Sequence, residues 1–193
     1  MKIKYILAAL LTTATSIALG SKVNFAQEQS QSPQKVTFSC QQTKDWRSRE
    51  NVLTTVAWVP RREAHVPIFR WKPELSKQLG LDNLEQCETI SNKIQEYYDR
   101  GELKYITYGR VGGYPVICAV NGINGTCNQS NILFTLKNSD NPQAVMIALI
   151  DIIASRSGNA DFLELTSEEQ AQLYVSLNEL LQIALTIDVD QYN

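Results

Sequence analysis

The chain has 193 residues, 44% hydrophobic and 20% charged, with nine Gly, six Pro, four Cys and one His. That length fits one domain of ordinary size, in which roughly two-thirds of the chain's surface can be buried. The composition excludes collagen, a long coiled coil and wholesale disorder, and a single His excludes poly-His metal sites.

Residues 1–26 read as an export signal. Lys2 and Lys4 precede an uncharged apolar run, Tyr5 to Leu19, which is shorter than the ~20 residues a membrane-spanning helix needs. Cleavage after Gly20 and after Ala26 compete, and the polar tail beyond Ala26 favours the second. Residues 27–34 (QEQSQSPQ) hold no large apolar side chain and read as a disordered tether. The expected destination is the periplasm, a thylakoid lumen or the periphery of a membrane. Residues 35–193 read as a single domain.

From Lys35 the pattern alternates. Val36, Phe38 and Cys40 share one face of a strand. Asn51 to Val59 (NVLTTVAWV) is a second, and Val66 to Trp71 a short third that Pro67 pushes towards an edge. The period then turns helical. Asp82 and Glu85 form a capping box, and Leu84, Cys87, Ile90, Ile94 and Tyr97 mark one face. Gly101 is a left-handed stop.

Leu103 to Arg110 and Tyr114 to Val120 flank Val111-Gly112-Gly113, the signature of a tight hairpin. Val116 to Val120 is apolar on both faces, as a central strand is. Asn121 to Ser130 is a Gly/Asn loop, and Asn131 to Leu136 another strand. Asn141 and Pro142 open a helix that is apolar almost all round, which predicts deep burial. A Thr166-x-x-Glu169 capping box opens the last helix, about 166–187. The expected fold is α+β: an antiparallel sheet of about five strands, an inserted amphipathic helix and two C-terminal helices.

Four cysteines in an exported chain imply two disulfides. No Cys-x-x-Cys occurs, so the spacing does not suit zinc, and no metal or cofactor is expected. Cys118 and Cys127 bracket the Asn/Gly loop, which favours their pairing and leaves Cys40 with Cys87. The other two connectivities remain open to the sequence.

The order of Phe38-Ser39-Cys40, Ile68-Phe69-Arg70-Trp71, Gln86-Cys87-Glu88-Thr89-Ile90-Ser91, Gly101-Glu102-Leu103, Tyr114-Pro115-Val116-Ile117-Cys118, Gly125-Thr126-Cys127 and Ile132-Leu133-Phe134-Thr135-Leu136 resembles the circadian oscillating protein (COP) family of cyanobacteria. The likeness covers about residues 35–158 and departs at Gln86, where an Arg is expected. It implies a cyanobacterial source, rhythmic expression and peripheral association with membranes. It brings no established catalytic residues.

Candidate sites are few. His65 has no recognisable nucleophile or orienting carboxylate, and Gly109 to Gly113 leads into a strand, not the helix a phosphate loop needs. The glycosylation-sequon matches Asn124-Gly125-Thr126 and Asn128-Gln129-Ser130 have turn composition, and Asp188 with Asp190 is too little for calcium. Residues 35–77 carry net +5, whereas residues 158–193 carry seven acids and no Lys or Arg. In the basic part, Arg61, Arg62, Arg70, Trp71 and Lys72 form a candidate contact for an anionic ligand, a glycan or a protein partner. The competing expectation is that these charges pair with the acidic C-terminal helix. Nucleic acid uses similar chemistry, but an exported protein rarely meets it. The sequence therefore predicts a non-catalytic envelope protein whose partners are an anionic membrane surface or another envelope protein.

Overall fold

The computed structural model describes residues 35–45, 48–79, 83–157, 163–165, 172–187 and 189, with side chains described except at 78, 79, 83, 151–157 and 163–165. The export signal, the tether, Asp82, the Thr166–Glu169 capping box, Asp188 and Asp190 lie outside the described residues.

The fold is α+β with antiparallel sheets, and its strands fall into two of them. The first contains β1 (Thr37–Lys44), β2 (Asn51–Val59) and β3 (Ala64–Trp71) in that order. A 3-10 turn, Pro60–Arg62, links β2 to β3. Thr55 pairs with Phe69 and Val56 with Pro67, so Ile68 is the extra residue of a bulge. That bulge on an edge strand accommodates a proline with no N–H to give to the ladder. After β3 come α1 (Pro73–Leu79) and α2 (Asn83–Asp99). Cys87, Ile90 and Ile94 are fully buried, but the stripe starts at Cys87, and Leu84 in the first turn is exposed.

Gly101, at φ 70°, ends α2. Its N–H bonds to Tyr98 O and that of Glu102 to Tyr97 O, both at 2.9 Å. This pair of bonds is the Schellman arrangement that a left-handed glycine permits.

The second sheet has the order β6-β5-β4-β8-β7. Its centre is the hairpin of β4 (Tyr105–Val111) and β5 (Tyr114–Val120). Val111 pairs with Tyr114 across Gly112 and Gly113, at φ 60° and 87°. Two successive positive φ values define a type I′ turn, whose twist suits flanking strands. β5 is the predicted central strand, buried from Pro115 to Val120 and flanked by β4 and β6 (Ile132–Thr135). α3 (Pro142–Ser157) follows, opened as expected by Asn141, whose Oδ1 accepts from Ala144 N at 3.1 Å. Val145, Met146, Leu149 and Ile150 are buried, whereas Ala144, Ile147 and Ala148 face solvent. As far as Ile150 the helix packs through one face, against the expectation of deep burial.

β7 (Leu163–Leu165) and β8 (Leu173–Ser176) complete the second sheet, and α4 (Leu177–Ile183) follows. This corrects the expected helix over about 166–187. Leu173, Tyr174 and Val175 extend because β8 pairs with β4 on one side and β7 on the other. Helical spacing of leucines resumes only after Ser176, whose hydroxyl accepts from Glu179 N at 3.4 Å and caps α4.

Side chains of both sheets, α2, α3 and α4 meet in one apolar core. Phe69 and Trp71 of β3 touch Phe134 of β6 edge-on, with centroids 6.1 and 5.7 Å apart. Contacts of this kind add about 0.5–1.5 kcal/mol each beyond area burial, and here they join the two sheets. On the opposite face of the second sheet, Cys118, Val120 and Tyr174 form a small separate cluster.

Candidate functional site

Both favoured disulfides are present: Cys40–Cys87, with Cα atoms 5.5 Å apart, and Cys118–Cys127, at 5.7 Å. They use all four cysteines, so the chain holds no free thiol. The first ties β1 to the buried face of α2. Beside it lies a buried polar node in which Trp71 Nε1 donates to Thr55 Oγ1 at 3.0 Å. Ser91 Oγ sits 3.1 Å from that oxygen and 2.7 Å from Cys87 O.

The second disulfide seats the Asn/Gly loop on the hairpin. Gly109 lies beneath it, and a Cβ there would stand 3.0 Å from Cys127 Sγ and 3.1 Å from Cys127 Cβ. This glycine lies in the first strand of the hairpin, as expected, and its packing against the disulfide carries no local signal in the sequence. The loop asparagines make turns, as their composition suggested. Asn128 Oδ1 accepts from Ser130 N at 2.9 Å, and Asn131 Nδ2 donates to Thr126 O at 3.0 Å. Tyr97 donates its hydroxyl to Ser130 O at 2.8 Å. Burial raises the Tyr97 pKa, opposed by the Arg100 guanidinium 4.7 Å from its ring centroid. Arg100 is itself raised by its hydrogen bond to Glu102.

The basic segment is taken apart by the fold. Arg70 and Trp71, predicted as surface contacts, are 2% and 1% exposed. Arg70 Nη1 donates to Lys44 O at 3.1 Å and lies 3.9 Å from the buried Asp45 carboxylate, which Lys72 Nζ approaches to 3.8 Å. Asp45 Oδ1 in turn accepts from Ser48 N at 3.0 Å and holds the β1–β2 turn. Arg62 donates to Leu181 O and Ala184 O, at 3.0 and 2.7 Å. It thus meets the C-terminal helix through carbonyls at the negative end of the helix dipole, not through acidic side chains. Arg61 alone of the five is exposed, and Lys72 is half-buried. The five do not form one surface patch, because β3 is buried on both faces from Val66 to Trp71, which takes Arg70 and Trp71 inside, and Arg62 turns to the carbonyls at the end of α4.

His65, weighed as a base, packs against Trp58 with ring centroids 5.0 Å apart. Its carbonyl accepts from Ile187 N at 2.9 Å. Among the described residues, no group of three or more His, Cys, Asp or Glu is placed to hold a metal ion.

Hollows open on the surface among the described residues. One of about 180 Å³ lies beside Asp45, Lys72 and Glu74, and one of about 390 Å³ beside Arg100, Glu102 and Asn131. Another, about 510 Å³, runs between the end of α2, the start of β4 and the β8–α4 junction. It brings Lys104 and Glu179 together, a convergence with no counterpart in local sequence.

The profile of the family described as circadian oscillating protein COP23 matches residues 37–182. The chain belongs to this family. The match runs past the residues that carried the resemblance, through β8 and into α4. It therefore spans both disulfides, both sheets and the hollow shared by Lys104 and Glu179. No curated protein and no solved structure matches the chain.

Proposed function

We propose that this member of the COP23 family is an exported, non-catalytic protein held peripherally at a membrane surface. The observation that carries the reading is the pair of disulfides in a chain whose start has the charge and length pattern of an export signal. Such bridges persist in oxidising compartments and are rare where thiols are kept reduced.

Attachment is assigned to surface charge. Among the described residues no helix is long and apolar enough to cross a membrane, a statement that does not bear on strands. Arg49, Arg61 and Lys77, all from the net-positive segment, are exposed. Each basic residue near an anionic leaflet contributes about 1 kcal/mol, reduced by salt. The non-catalytic reading is supported by the disulfide bonding of every cysteine and the packing of the one histidine against Trp58.

Fractionation of cells at low and high salt tests the proposal. The protein is expected in the membrane pellet at low salt and in the supernatant after a high-salt wash, and to bind vesicles containing anionic lipid. Recovery wholly in the soluble fraction at low salt, with no vesicle binding, contradicts membrane attachment.

A further inference from the structure

The groove between α2, β4 and the β8–α4 junction, about 510 Å³, is within the size range of small-molecule sites. Its apolar wall includes Leu103, Leu177 and Leu181, and the rings of Tyr98 and Tyr105 line it as well. Two opposite charges share this wall. Tyr105 pairs with Ser176, and Leu177 N donates to Lys104 O at 2.9 Å. This backbone register sets Lys104 beside the start of α4, on which Glu179 sits. The Ser176 cap fixes the Glu179 backbone.

Glu179 Oε2 is shut off from solvent and accepts no hydrogen bond. Buried acceptors of this kind are rare, because losing water without gaining a donor is costly. Lys104, which is exposed, makes no ion pair with it among the described residues. Acidic Glu179 and basic Lys104 thus line one groove together with apolar side chains.

From this geometry we infer that the groove is a binding site for a free amino acid with an apolar or aromatic side chain. The ammonium group supplies donors to Glu179 and faces tyrosine rings that attract cations. The carboxylate meets Lys104, and the side chain covers the leucines. A polyamine is disfavoured by Lys104, and a fatty acid by Glu179. The inference is independent of where the protein resides.

Calorimetric titration of the full-length protein, with both disulfides formed, tests this with leucine, phenylalanine, and their N-acetyl and amide derivatives. Saturable binding of leucine or phenylalanine at millimolar concentration or below is expected, with each blocked form at least about tenfold weaker. Glu179→Gln is expected to weaken the free amino acids by at least about tenfold. Lys104→Ala weakens the free amino acid but not its amide. Lys104 is exposed, so this variant and the blocked ligands decide the matter even if Glu179→Gln fails to fold. No saturable binding of either amino acid, equal binding of the blocked forms, or unchanged affinity in folded variants overturns the inference.

Discussion

The Cys40–Cys87 bridge and the Cys118–Cys127 bridge hold unlike parts of the molecule. The first closes a long loop, 47 positions from end to end, and lies where β1, β2 and α2 enclose the main core. The second spans nine positions and seats one loop on the outer face of the second sheet, over a cluster of three buried side chains. One bridge therefore restricts how the chain assembles its core, and the other restricts a surface already formed by the hairpin. Loop length gives the contrast a magnitude. The entropy model assigns about 4 kcal/mol to the longer loop and about 2.7 kcal/mol to the shorter.

Removing each bridge breaks this comparison most directly. Replacing Cys40 and Cys87 together by Ala is expected to cost about 4 kcal/mol in urea unfolding, with loss of the near-ultraviolet circular dichroism of the core. Cys118→Ala with Cys127→Ala is expected to cost about 2.7 kcal/mol and to leave that signal largely intact. Equal costs would remove the distinction between the two regions.

Within each region a single side chain sharpens the contrast. In the outer region, Gly125→Ala puts a Cβ 2.7 Å from Val120 Cβ and 2.9 Å from Gly122 O. Neither neighbour is a flexible side-chain end, so about 1–3 kcal/mol should be lost by the same measurement. In the core, Thr55→Val leaves the buried Trp71 N–H without its acceptor, at about 1–2 kcal/mol.

The smallest effect is one of pH. The Tyr97 pKa is raised in the folded state, chiefly by burial, so the unfolded chain loses this proton first. The resulting contribution is fully present below about pH 10, the ordinary tyrosine value, and is lost as pH rises through the folded pKa. Tyr97→Phe should change stability at neutral pH by less than about 1 kcal/mol and flatten the alkaline fall in chemical-denaturation curves. An unchanged alkaline slope would assign it to other groups.

Features written into neighbouring residues were legible before the fold was known. Gly112-Gly113 demands positive φ, Asn141-Pro142 starts a helix, and the three-to-four spacing of Cys87, Ile90 and Ile94 marks one helix face. The preferred cysteine pairing followed from which elements those residues end or bracket. What the sequence could not display depends on distant partners. Leu173 to Ser176 sit at helical spacing from Leu177 and Leu181, yet β4 and β7 recruit them as a strand. Pairing across the chain likewise divides the strands between two sheets. Pro73 does mark the first turn of α1, but seven residues leave too short a period to read.

The basic segment shows the limit most clearly. Composition reveals that Arg62, Arg70 and Trp71 are close in the chain, but not that both faces of β3 are covered. Arg70 is therefore drawn towards Asp45, and Arg62, in the turn before β3, donates to carbonyls at the end of α4. The groove shared by Lys104 and Glu179 was invisible for the same reason.

Peptide mapping of protein alkylated directly in the cells that make it tests the account most directly. The predicted result is two bridged peptide pairs, Cys40 with Cys87 and Cys118 with Cys127, and no alkylated cysteine. Alkylation of any of the four, or a bridge between the two pairs, would contradict both the architecture and the oxidising compartment assigned to it.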